Sequence, residues 1–229
     1  MTATLLRSAL ILMHTLFMFV SAFSILDCQA SDLSSNSELT RKWWSLSFNQ
    51  PNYMKVWVED SQVEDINGKL LRRTGGGTAA GNEPEDGTES ARGWGQITGG
   101  IREVVGADLP KRIYVRWQSV VESKTYRVWI DIPEKAREIM RATVNEPCPS
   151  EPNEPTGTIA LVYVGLAPGG IAQVWVSDKC MKPIKVARAQ AEIEPLGPDQ
   201  GKSQGQYAYP VSEKAKRYIG QYGIPYGSW

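Results

Sequence analysis

The sequence predicts a mainly β fold, an antiparallel sandwich or strongly curved sheet built from sequential hairpins, with one or two short helices. Three observations carry that expectation. Apolar and polar residues alternate with a period of two through several runs, as they do in half-buried strands. Turn-forming residues separate those runs at hairpin spacing. Only two short segments carry helix-start chemistry.

The elements follow in chain order. Trp44, Leu46 and Phe48 share one parity. After the turn residues Gln50-Pro51-Asn52, Met54, Val56 and Val58 fall on one face, with Tyr53, Lys55, Trp57 and Glu59 on the other. These two runs read as a first hairpin. Residues 68–90 contain Gly75-Gly76-Gly77 and the acidic run Glu83-Pro84-Glu85-Asp86-Gly87 and show no period, so they read as a long mobile loop.

The clearest signal spans residues 111–132. Ile113, Val115, Trp117 and Ser119 alternate with Tyr114, Arg116, Gln118 and Val120. Beyond a turn at Glu122-Ser123-Lys124, Tyr126, Val128, Ile130 and Ile132 alternate with Arg127, Trp129 and Asp131. That is a hairpin of two amphipathic strands. Pro133 then opens a short helix over residues 134–142, with an acid in its first turn and Arg141 in its last.

Residues 145–156 form a proline-rich connector carrying Cys148. Residues 159–166 and 171–177, joined by Ala167-Pro168-Gly169-Gly170, make another hairpin. Residues 184–193 read as a further strand and 195–209 as loop. Ser212 caps a C-terminal helix that reaches Tyr222.

Residues 1–30 read as a signal segment and residues 31–229 as a single domain. One positive charge in residues 1–7 precedes a nearly uncharged apolar run ending at Leu26. Cys28 and Ala30 supply the small residues for cleavage after Ala30. An uncleaved membrane anchor is the alternative, since the run exceeds the usual ~7–15 residues. His14, Thr15, Ser21 and Ser24 weaken it as a spanning helix. A third reading is lipidation of Cys28, although Asp27 stands where a lipobox carries a small residue. With Cys28 removed or lipidated, Cys148 and Cys180 remain as an even pair in an oxidising compartment and are expected to form a disulfide.

Composition excludes several functions. Hydrophobic residues make up 41% and charged residues 22%, a globular mix rather than a disordered one. Lys plus Arg equals Asp plus Glu, 25 against 25; the signal segment holds one of each, leaving 24 against 24. Nucleic-acid binding shows as a basic excess, so no nucleic-acid partner is expected. The sole histidine, His14, lies in the signal segment. The remaining domain therefore lacks the base for Ser-His-Asp or Cys-His nucleophiles and the ligands for His-based catalytic zinc. No metal or cofactor is expected.

Carboxylate chemistry survives that exclusion. Glu59, Asp60, Glu64, Asp65, Glu122 and Asp131 are available to a glycosidase-type pair, but acids at strand ends and turns are ordinarily just solvated. Asp65-Ile66-Asn67-Gly68 opens like a calcium loop, yet the bidentate Glu is out of register, and it reads as a β-turn. Gly75-Gly76-Gly77-Thr78 lacks the Lys-Ser/Thr pair of a phosphate loop. The chain has eight tryptophans and nine tyrosines, and Trp57 and Trp129 have opposite parity to their aliphatic neighbours. One sheet face thus presents aromatics, as binding faces do, unless both faces are buried.

The stretch from Leu109 to Pro133, with Leu109-Pro110 before a strand ending Trp117-Gln118-Ser119, then Glu122, Tyr126 and Ile132-Pro133, resembles a family of uncharacterised Gram-negative envelope proteins. These are often lipoproteins carrying a domain of unknown function. Trp44, residues 53–58 and the turn at residues 65–68 also fit, so the resemblance covers residues 43–141. It carries over no catalytic residue, and Trp117, Ser119, Glu122 and Tyr126 are pattern positions of unknown role. Some relatives act as periplasmic immunity proteins beside type VI secretion effectors. The resemblance therefore implies an exported, non-enzymatic binding protein in the periplasm whose partner is a protein, such as a toxin, with membrane attachment only through the signal segment or a lipid at Cys28. An accessory envelope protein holding a cell-wall component on its aromatics is the second reading, and a carboxylate-based hydrolase the third.

Overall fold

The computed structural model describes residues 44–85, 89–154 and 159–229. The signal segment, its cleavage point, Cys28 and the polar lead-in at residues 31–40 lie outside the described residues. Among those described, no helix is long and apolar enough to cross a membrane.

The described residues form two sheets and two α-helices, a mainly β fold whose sheets do not close into a barrel. Its strands are β1 (Trp44–Asn49), β2 (Val56–Asp65), β3 (Leu70–Arg72), β4 (Gly77–Thr78), β5 (Arg102–Val104), β6 (Pro110–Ser119) and β7 (Lys124–Asp131). Helix α1 (Glu134–Asn145) follows, then β8 (Ala160–Ala167), β9 (Ile171–Ser177), β10 (Pro183–Gln190), β11 (Glu192–Ile193) and α2 (Glu213–Tyr222). One sheet runs β10-β9-β8-β1-β5. The other runs β11-β7-β6-β2-β3, with β4 also on β2.

Alternation builds the core between the sheets. Trp44, Leu46 and Phe48 of β1 and Val56, Val58 and Val63 of β2 belong to one buried cluster. Ile113, Val115 and Trp117 of β6, and Val162, Val164 and Val174 from the β8–β9 hairpin, complete it. The β6–β7 and β8–β9 hairpins pair in the register their alternation predicts, Trp117 opposite Tyr126 and Val164 opposite Val174. Gly169 and Gly170 turn the second hairpin at φ of 79° and 74°, a region open to glycine without steric cost. Ser212 caps α2, its Oγ accepting from Ala215 N at 3.1 Å.

Three expectations are corrected. First, β1 and β2 do not form a hairpin. They lie in different sheets, and β1 pairs in parallel with β8 and antiparallel with β5. The connector crosses between the layers through Tyr53 at φ 63°, held by Gln50 Oε1 accepting from Val56 N at 2.7 Å. Second, the sheets are therefore not wholly antiparallel. Third, residues 68–85 are not a featureless loop, since β3 and β4 both pair with β2.

The flanks are tied down. Helix α1 buries Ala136, Met140 and Thr143, and Thr143 Oγ1 donates to Ser177 O at 2.8 Å at the end of β9. Cys148, just past α1, is bonded to Cys180, just past β9, with Cα atoms 4.9 Å apart, inside the ~4.4–6.8 Å window for a disulfide. On the outer side of β1, Trp94 packs edge-on against Trp175 at 5.0 Å, and Thr98 N donates to Asn49 Oδ1 at 2.9 Å. Both faces of β1 are thereby buried.

Candidate functional site: an arginine groove on the outer sheet face

The four family-pattern positions come together, but inside the protein. Trp117 and Ser119 have no exposed surface, and Trp117 packs on Tyr126 with ring centroids 5.6 Å apart. Glu122, its side chain 1% exposed, accepts from Tyr126 Oη, Tyr226 Oη and Gly169 N, each at 3.1 Å. One carboxylate thus latches the β6–β7 turn to the β8–β9 turn and the C-terminal segment. Burial first, and the Glu122 charge second, push the Tyr126 and Tyr226 hydroxyls above the usual tyrosine range. This cluster is a structural joint.

The other face of the six-stranded sheet has a different character. Cross-strand pairing sets Asp60, Arg116, Arg127 and Glu192 in one row, and Arg72, Gln62, Tyr114 and Trp129 in the next. Trp57 and Trp129 both lie here and both are half-buried. Trp57 meets Tyr209 edge-on, while Trp129 packs on Tyr114 and carries the Arg112 guanidinium 4.4 Å above its ring.

Two breaks in alternation shape a groove of about 890 Å³ on this face. A register shift between Val58 and Asp60 inserts Glu59 as an extra residue, so consecutive carboxylates line the groove. Across from it, Arg73 takes a left-handed φ of 56°, and consecutive arginines, Arg72 and Arg73, line the same groove. A non-glycine residue in that region costs about 1–2 kcal/mol, offset here by Thr74 N bonding Ser61 O at 2.9 Å and Ser61 Oγ bonding Gly75 O at 2.9 Å.

Two of the three glycines, Gly75 and Gly77, have a packing reason. A Cβ on Gly75 would stand 2.7 Å from Arg102 Cδ, and one on Gly77, at φ 101°, 3.2 Å from an Arg102 guanidinium nitrogen. The Arg102 side chain occupies the space that side chains at 75 and 77 would fill. The run has no periodic pattern of its own because the residue lying over it comes from β5, a strand far along the chain with no periodic signal.

Charges divide sharply within the groove. Glu59, 4% exposed at its side chain, accepts from Arg116 Nε at 2.7 Å, Gln118 Nε2 at 2.8 Å and Asp199 N at 2.6 Å. Burial opposes the Arg116 charge, but the bonded Glu59 carboxylate outweighs it and the Arg116 pKa rises. Asp60 accepts from Gln62 Nε2 at 2.9 Å. Arg72, Arg73, Arg102 and Lys202 line the same opening, and no ion pair engages them among the described residues. Of the acids available for a catalytic pair, Glu59 and Glu122 are consumed as above and Glu64 holds Lys111 and Arg112. Asp65 Oδ1 accepts from Asn67 N and Lys69 N within the predicted β-turn.

A model of one protein family, described as a protein of unknown function, DUF2931, matches residues 31–227. The chain belongs to the DUF2931 family. Neither the comparison with curated proteins nor that with solved structures found a match. The DUF2931 match takes in residues 43–141 and also the loop after β11 that supplies Lys202.

Proposed function

We propose that this DUF2931 protein is an exported, non-enzymatic binding protein of the periplasm that engages a protein partner through its groove face, and that its role is immunity, the blocking of a secreted toxin. The observation carrying this reading is the split in commitment among charged groups. Glu59, Glu122 and Glu194 are buried and spent on bonds within the fold, while Arg72, Arg73 and Arg102 stand on one face with no ion pair among the described residues. A general acid–base pair needs carboxylates free to exchange protons with a substrate. A binding face needs uncommitted donors and anchored aromatics.

Two further facts support it. A disulfide suits an oxidising compartment, and the family match starts at residue 31, where cleavage after Ala30 would begin the domain. The second reading, an accessory envelope protein holding a cell-wall component on its aromatics, draws on the Tyr114–Trp129 pair on the same face.

The test is periplasmic co-expression of the toxin encoded beside this gene, with and without this protein. Relief of killing together with a complex on size exclusion is expected. Equal killing in both cases with no complex sinks the immunity reading and puts the accessory role first.

A further inference from the structure

We infer that the groove receives an extended acidic segment of the partner protein, its carboxylates held by the guanidinium groups of Arg72, Arg73 and Arg102. This rests on the binding reading above and names the chemistry of its partner.

Commitment elsewhere in the chain sets the contrast. Arg112, Arg116, Arg127, Arg137 and Arg141 all hold carboxylates of this protein. The three groove arginines keep their donors free among the described residues, and guanidinium forks match carboxylates bidentately. Their placement is also built: the left-handed Arg73 turns two consecutive side chains to one opening, and the glycines at 75 and 77 make room for Arg102.

The charge excess is local. The chain as a whole is balanced, yet Arg72, Arg73, Arg102 and Lys202 face Asp60 as the one lining carboxylate that Arg116 does not hold. Size and lining then choose the ligand. The groove, at about 890 Å³, is far larger than the roughly 10–15 Å³ that one water needs on the same measure, so it has room for a length of chain and not only for a single small anion. Its lining is dominated by charged and amide groups, unlike the apolar walls that hold small organic ligands.

The probe is fluorescein-labelled oligo-glutamate, titrated with the disulfide-intact domain and read by anisotropy. Saturable binding is expected, weakened at least about tenfold, or about 1.4 kcal/mol, in Arg72→Ala/Arg73→Ala/Arg102→Ala. Lys202→Glu should weaken it in the same direction, and Lys182→Ala/Lys185→Ala, around the start of β10, should leave it unchanged. Raising salt should also weaken it, since exposed pairs are screened. Because the three arginines support no ion pair within the described fold, the triple variant should melt with wild type. No saturable binding, equal loss in the Lys182/Lys185 control, or displacement by equimolar inorganic phosphate would each overturn the inference. Protection from the toxin retained by the triple variant would also overturn it while leaving the immunity reading standing, so the two fail apart.

Discussion

Replacing Glu122 by alanine should be among the most damaging single changes away from the apolar core. The carboxylate is the shared acceptor for donors on three chain segments, Tyr126, Gly169 and Tyr226. Tyr226 is 57% exposed and finds water when the acceptor goes, whereas Tyr126 is 4% exposed and Gly169 half-buried. A buried donor left without an acceptor costs about 1–3 kcal/mol. The buried Tyr126 hydroxyl in full and the half-buried Gly169 N–H in part put the loss at about 3 kcal/mol, and the exposed Lys124, 3.9 Å away, adds little. At roughly 2–4 °C per kcal/mol for a domain of this size, melting should fall by about 6–12 °C. Glu122→Gln keeps one carbonyl acceptor and the shape, so less than half of that loss is expected, and Tyr226→Phe should cost under about 0.5 kcal/mol. The assay is thermal unfolding by circular dichroism with the disulfide intact. An alanine variant melting within about 2 °C of wild type, or a glutamine variant falling as far as alanine, would refute the latch.

Other expectations follow from the same geometry. Cys148→Ser/Cys180→Ser opens a loop of sequence separation 32, which the chain-entropy relation values at about 3.7 kcal/mol; urea unfolding of the oxidised parent against the variant measures it. Tyr126 and Tyr226 ionise later in the folded state than the ordinary value of 10.0, so their contribution is whole below pH 10 and is lost as pH rises beyond it. Tyr126→Phe should flatten that alkaline fall, and an unchanged slope would contradict the burial and charge assigned to the hydroxyl. Gly77→Ala should cost about 1–2 kcal/mol for its positive φ and displace Arg102, seen as a shift of the Trp57 indole resonance.

Much of the fold was legible because alternation is a local signal. Ile113, Val115 and Trp117 announced their buried face by spacing alone, and Ser212 announced its helix. What the spacing of Trp44, Leu46 and Phe48 did not hold was the partner. A strand's pattern tells which face is buried, and β1 finds its neighbours in β8 and β5, far along the chain. Strands β3 and β4 were hidden for another reason: they are too short to show a period, and pairing with β2 orders them.

The groove was harder still. Its arginines come from β3, the turn after it and β5, and nothing local joins Arg102 to Gly75. The aromatic parity of Trp57 and Trp129 did point to the sheet face that carries the groove. The family-pattern residues pointed inward, to Glu122 and its joint, because a pattern can mark what holds a fold together as readily as what the fold does.

The most direct test of the groove as the working surface is amide hydrogen exchange on the complex with the neutralised toxin. Slowed exchange in residues 57–62 and 72–77 is predicted, with the amides of β9 and β10 unchanged. Protection confined to the five-stranded sheet, with the groove amides exchanging as in the free protein, would contradict the account.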